Sequence, residues 1–334
     1  MSPENTPFLS SIGSNKAKQP RHDWQTDILV NPDRTNIVSE SFEFDTNNAQ
    51  NDVPVRLSNY TEVTAKTIHV AGSLIKSDFA GAQDYFSYQR MKRGKEIMRD
   101  LEAKRLGWNN VVGAGGANVQ LETYDNSGAT RRAAGVFAYA GNWSNATATG
   151  MTVATRAGGT SNIAGSASSG FNTRDTDGLR AIKFQSAPTN VAVSADQINI
   201  LAEQFSLNNG MMTTLQVPTR VKSDVSNALI AGNGGAAQRR ADEMAKKVNL
   251  AVDAVLTEFG FDLAIVPNYI MDQFSGASNL LLAYDPKAIK RTVLTPMTTE
   301  EDGTARYGKG YIMYCDETLE VMDPNSVGVV AGVV

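Results

Sequence analysis

The sequence predicts an α+β fold built unevenly: an extended arm, a long β-hairpin, one long helix, and only then a lobe of helices and strands. Three observations predict it. Residues 1–36 carry few apolar positions among many Pro, Asn, Asp and Arg, which favours an extended chain over a core element. The apolar positions then change period, from alternation before residue 70 to a helical spacing over 82–106. From Ser194 onward, capped helices and short apolar strands alternate with turns.

Composition narrows the function classes. The chain has 334 residues, of which 41% are hydrophobic, enough to bury real cores. Its net charge of −4 is unlike the strongly basic footprint of a dedicated nucleic-acid binder. Apolar runs such as Leu280–Tyr284 are far shorter than the ~20 residues of a membrane helix, so no membrane partner is expected. The first residues show no signal pattern, and the lone Cys315 fits a reducing cytoplasm.

Each element has its own signal. Val38, Phe42 and Phe44 alternate with Ser39, Ser41 and Glu43, as in a strand with one apolar face. A polar octet, 45–52, forms the tip before Val53, Val55 and Leu57 alternate again, and the return path through residues 60–70 is β-prone. This hairpin has little sequence beside it from which to build a core, so it is expected to project. Over 82–106, Tyr88, Met91, Met98 and Leu101 fall at spacings of three and seven, giving one narrow apolar stripe. Lys92 and Glu96, like Asp100 and Lys104, stand at the helix-supporting i,i+4 separation. From Arg90 to Arg105 inclusive there are seven basic and three acidic residues. At 1.5 Å per residue such a helix spans roughly 40 Å, a length suited to bracing an extended object.

Beyond the helix, a tract rich in Gly, Ala, Ser and Thr between Asn145 and Gly170 lacks the large apolar residues of a core and reads as a long loop or insertion. Ser194 and Gln197 make a capping box for a helix buried through Ile198, Leu201 and Phe205, which stops near Gly210. A second helix is expected after Pro218 and a third over 236–248. A hairpin is then expected to turn at Phe259 and Gly260 into an apolar strand over 263–266.

The search for catalysis returns little. His22 lies in arm-like sequence, and His69 has no nucleophile motif beside it. Cys315 sits in an apolar strand and reads as buried and inert. Neither Gly113–Gly116 nor Gly232–Gly235 is followed by the Lys-Ser/Thr of a phosphate loop, and both read as turns. Glu300, Glu301 and Asp302 look like a solvated turn, with a divalent-cation site as the alternative. No enzyme and no cofactor is expected.

Several phrases, in order, resemble the major capsid proteins of tailed bacteriophages with the Hong Kong 97-type fold. They are Thr6-Pro7-Phe8-Leu9-Ser10, Trp24-Gln25-Thr26-Asp27, and Arg56-Leu57-Ser58-Asn59-Tyr60-Thr61. In the long helix they are Tyr88-Gln89, Lys92-Arg93-Gly94-Lys95-Glu96 and Arg99-Asp100-Leu101-Glu102. Later come Phe259-Gly260, Ile265-Val266-Pro267-Asn268 and Glu317-Thr318-Leu319-Glu320. Glu40-Ser41 departs from the pattern, since similar chains tend to place glycine after the acid.

The resemblance implies an N-terminal arm over 1–27 and an extended loop over 28–78 that lies across a neighbouring copy. It implies a peripheral domain over 79–193, with spine helix 82–106 and an insertion at 142–190. An axial domain over 194–308 follows, and strands over 309–334 return to the peripheral domain. It further implies contacts between copies at Trp24, Phe42, Phe44 and Asn47, and at Asn48, Asp52, Arg56 and Asn59. Lys92, Lys95 and Lys104 would present a basic inner surface to packaged dsDNA. The implied product is an icosahedral shell of hexamers and pentamers in a virion, assembled in the host bacterial cytoplasm. Scaffolding protein and portal are the implied helpers, with room for a decoration protein. An encapsulin-type compartment shares the fold and is the alternative.

Overall fold

The computed structural model describes residues 6–26, 37, 40, 55–76, 85–113, 116–121, 131–138, 185–191, 195–207, 209–232, 241–242, 247–248, 253–273, 280–302 and 307–333. In chain order these form α1 (Pro7–Ser11), β1 (Gly13–Lys16), β2 (Arg21–Thr26), β3 (Val55–Tyr60), β4 (Glu62–Ala71), α2 (Gly72–Lys76) and α3 (Tyr85–Leu106). Then come β5 (Trp108–Gly113), β6 (Gly116–Leu121), β7 (Gln185–Val191), α4 (Ala195–Leu207), β8 (Thr214–Pro218) and α5 (Lys222–Gly232). The last are β9 (Ala241–Asp242), β10 (Lys247–Val248), β11 (Ala254–Leu256), β12 (Asp262–Asn268), β13 (Leu280–Tyr284), β14 (Ile289–Asp302), β15 (Gly308–Val321) and β16 (Val327–Val333).

Two sheets carry the architecture. One has the order β11-β12-β8-β13-β16-β7 and the other β1-β14-β15-β4. Strand β13 reads Leu-Leu-Leu-Ala-Tyr because both of its faces are covered. Leu281 and Ala283 join the core of α4, with Ile198, Leu201, Phe205 and Val225. Leu282 and Tyr284 point to the opposite core, with Phe8, Ile97, Leu101 and Leu319. The six-stranded sheet therefore separates two hydrophobic cores.

The lobe after residue 194 largely follows its periodicity. Helix α4 buries Ile198, Leu201 and Phe205, α5 follows Pro218, and β11 turns into β12 at Gly260, whose φ is 83°. The third helix is corrected: β9 and β10 pair antiparallel with each other inside 236–248, although the composition there favours a helix. The boundary at 308 is corrected too. Strand β14, assigned to the axial lobe, pairs along its length with β15, and a hairpin cannot be divided between two sheets. Strand β16 joins the six-stranded sheet through β13 and β7, and so does β7 from the end of the 142–190 insertion. The rest of that insertion, Ser194 and the loop tip 45–52 lie outside the described residues.

The N-terminal stretch is the largest correction. Phe8, Leu9, Ile12 and Trp24 are buried in the chain's own core, so α1 and β2 contribute to that core despite the polar composition of the stretch. β1 runs parallel to β14, and β2 pairs with β3 in the register Trp24 to Leu57. The return half of the hairpin is likewise in the body. β4 pairs antiparallel with β15 and buries Ile68 and Val70, so residues 55–71 do not project.

Helix α3 ends at a contact between two glycines. Gly107 has φ 75°, and a Cβ on Gly135 would meet its Cα at 2.2 Å. Only glycine at both positions lets the 131–138 segment lie this close.

Candidate assembly surface on helix α3

Helix α3 presents three different faces, and their chemistry follows from what each one meets. Its core face buries Ile97, Leu101 and Leu106 together with two ionisable residues, Glu102 and Arg105. Arg105 donates through Nε to Glu317 Oε1 (3.3 Å) and through Nη2 to the Glu317 carbonyl (2.9 Å). Arg291 pairs with the same Glu317 carboxylate. A charge this deep needs partners, and two guanidiniums supply them.

The second face lies along β4 and is an ion-pair ladder. Lys66 Nζ sits 2.7 Å from Asp100 Oδ2 and 3.5 Å from Glu96 Oε2, while Arg93 Nη1 holds Glu96 at 2.6 Å. The Arg93 hydrogen bond is the main reason that the Glu96 carboxyl is held below its usual range. Lys104 donates to Glu62 and to Thr64 Oγ1. Neither i,i+4 pair expected from the sequence forms: Glu96 is held by Arg93, and Asp100 and Lys104 find partners on β4. Lys104, expected on the basic inner surface, is occupied by partners within the subunit.

The third face is open. Tyr88 (49% exposed), Met91 (59%), Lys92, Lys95 and Arg99 are exposed, and at ~100° per residue they fall within an arc of about 100°. Tyr88 and Met91 thus leave the apolar stripe assigned to them, whereas Leu101 is buried and Met98 partly so. Arg99 lies over the Tyr269 ring, 5.3 Å from its centroid. Among the described residues neither Lys92 nor Lys95 forms an ion pair. The stripe combines two exposed apolar side chains with three cations and no anion. Its spacing, 88, 91/92, 95 and 99, is visible in the sequence, but there Tyr88 and Met91 group with Met98 and Leu101 as one apolar stripe apart from the lysines.

Other predicted positions fare differently. Trp24 Nε1 donates to the Val321 carbonyl at 2.8 Å, and buried Asn59 donates to the carbonyls of Leu319 (2.8 Å) and Ala134 (3.2 Å). The polar groups of both are thus used inside the chain. Arg56 is placed in β3 by its backbone, while Phe42, Phe44, Asn47, Asn48 and Asp52 lie outside the described residues.

His22 Nε2 is 2.9 Å from Glu320 Oε2 and its ring stacks on Trp24. His69 is exposed on β4. Cys315 is fully buried, and burial pushes its thiol up to about 11, which keeps it inert. Glu300, Glu301 and Asp302 are the end of strand β14 rather than a turn, and Glu300 accepts from Tyr314 Oη. Among the described residues no cluster of His, Cys, Asp and Glu could hold a metal ion.

A family model described as SU10 major capsid protein matches residues 1–334. The major capsid protein of Escherichia phage Phieco32 is 33% identical over 102 residues, covering 30% of this chain. That match spans 28% of the relative's own length. Among solved structures, the cyanophage A-1(L) capsid asymmetric unit is similar over 98% of this chain and 93% of its own, with TM-score 0.60 and 11% identity. The holo-SrpI encapsulin complex from Synechococcus elongatus is similar over 98% and 87%, with TM-score 0.51 and 8% identity. At such identities the likeness concerns the fold.

Proposed function

We propose how this chain assembles from one premise: it belongs to the SU10 major capsid protein family, has the Hong Kong 97-type fold, and is a phage major capsid protein that forms the capsid shell. That family is structural and not enzymatic. The full-length family match and the phage relative outweigh the encapsulin likeness, which shares the fold alone.

The open stripe on α3 is the observation that carries the proposal. Its natural occupant is the 38–52 segment of a neighbouring copy. Between Arg34 and Arg56 the chain has no Lys or Arg and carries Glu40, Glu43, Asp45 and Asp52 beside Phe42 and Phe44. Acidic and aromatic side chains on one copy match the cations, Tyr88 and Met91 on the next. Each contact is weak by itself, and closure of the shell multiplies it. Repetition of the contact builds hexamers and pentamers in the host cytoplasm around dsDNA, with scaffolding protein, portal and any decoration protein added to the same lattice.

A second use of the stripe is non-specific phosphate binding by Lys92 and Lys95, which face solvent without a counter-ion among the described residues. One pair of variants separates the two. Replacing 45–52 by Asn-Gly keeps a hairpin possible, and Lys92→Gln with Lys95→Gln removes the charge. Under the neighbour reading both leave a soluble subunit that melts normally and fails to form regular shells by electron microscopy. Normal shells that release DNA at lower salt in the lysine variant would move the stripe to the genome. Normal shells with normal release would remove it from both roles.

A further inference from the structure

Residues 6–26 form a strap that touches separate parts of the subunit: α1 lies on α3 and β12, β1 on β14, and β2 on β3. Its first turn is held in an unusual way. Thr6, at the N-cap, makes no side-chain cap, so the opening N–H groups of α1 must find acceptors elsewhere. They find one side chain: Phe8 N–H donates to Glu102 Oε1 (2.7 Å) and Leu9 N–H to Oε2 (2.8 Å). Asn268 Nδ2 donates to Oε1 as well, at 3.0 Å. From there a polar chain runs through Gln216 and the Tyr284 hydroxyl to Ser11 Oγ, returning to α1. The loop of hydrogen bonds begins and ends on the strap, and Glu102 at its centre is 0% exposed.

The groups around Glu102 leave its charge unbalanced. From α1 there is no ionisable side chain. From β12 and β8 come the neutral amides of Asn268 and Gln216, and from β13 the Tyr284 phenol, which burial first and then the Glu102 charge push upward. Along α3, Arg99 is turned to the Tyr269 ring and Arg105 to Glu317, which also holds Arg291. Asp272, beyond β12, accepts from the main-chain N–H of Thr219. No cation among the described residues is within ion-pair distance of Glu102.

We propose that docking of the N-terminal strap is coupled to protonation of Glu102, so that the strap holds tightest in mild acid and loosens as pH rises through neutrality. Docking closes α1 over the carboxyl and excludes water from it, which disfavours the charged form. Burial pushes its pKa from 4.5 up to about 7, against the three donors that pull it down. The docked value lies above the free value, so docking is at full strength below the free pKa and is lost as pH rises through the docked one. One-proton linkage then gives a fall of up to about tenfold in the docking constant between pH 6 and pH 8. The strap's other carboxylate anchor does not follow. Glu320 accepts from His22, Asn15 and Thr292, and chiefly the His22 bond holds it below its usual range, so it stays ionised across that window.

This inference concerns the free subunit and stands apart from the assembly reading. The test is amide hydrogen exchange of residues 6–12 in the full-length unassembled protein, corrected for intrinsic rates, from pH 6 to pH 8. Protection should fall by up to about tenfold in the parent chain and stay level in Glu102→Gln, which is neutral throughout. Asn268→Ala removes a donor that favours the anion, so its midpoint should move to higher pH. Level protection in the parent, a retained slope in Glu102→Gln, or an unmoved midpoint in Asn268→Ala would each overturn the proposal.

Discussion

The two cores on either side of the six-stranded sheet are closed by different chemistry. On the α4 side, Ile198, Leu201, Ala202, Phe205 and Val225 meet Leu215, Val217 and Leu281, and no charged side chain among the described residues is buried with them. On the α3 side, Phe8, Ile97, Leu101 and Leu319 share the interior with Glu102, Arg105 and Glu317, all at 0% exposure. The first core depends on area removed from water, which is non-directional and tolerant of small shifts. The second depends also on charged groups that must each find a partner in one geometry. A helix with such a face carries enough charge to look like a solvated brace. The charge of α3 is in fact split between the interior, the β4 ladder and the open stripe.

The largest expected effect tests the ionic core. Arg105→Ala leaves Glu317 with one guanidinium in place of two and should cost about 3–5 kcal/mol in urea unfolding. Arg105→Met combined with Glu317→Leu should recover most of that loss, because paired apolar replacements leave no buried charge. A double variant as unstable as the single one would show that packing volume, and not the ion pair, sets the cost.

The apolar core comes next. Leu201→Ala should cost roughly 2–5 kcal/mol, the range for a cavity under a helix. Its loss should be nearly independent of pH between 6 and 8. A pH-dependent loss would tie the two cores together across β13 and blur the contrast between them.

The smallest effect belongs to the open stripe. Lys92→Gln with Lys95→Gln should change the melting free energy of the lone subunit by no more than ~0.5 kcal/mol, as expected for surface sites without partners. A larger loss would place these lysines in the subunit's own fold and weaken the stripe as an assembly surface.

Legibility in the sequence divides along the same line. Helix α4, the helix after Pro218 and the β11–β12 turn at Gly260 were readable, because an apolar face or a glycine turn leaves a short-range pattern. The end of α3 at Leu106 was readable, yet its inward face was not, since Glu102 and Arg105 count as polar in any periodicity. The N-terminal stretch failed for a related reason. Phe8, Leu9, Ile12 and Trp24 are too few and too widely spaced to show a period, although each fills a site in the core.

By itself, then, the sequence determined the helices with an apolar face, the glycine turn and the family resemblance, all of which rest on neighbours within a few residues. The tertiary structure decided which polar groups are interior and whom they meet. Glu102 meets Phe8 across 94 residues of chain, Arg105 meets Glu317 across 212, and Asn59 meets Leu319 across 260. Contacts at such separations are chosen by the packing of whole sheets and helices, so no local window of sequence contains them.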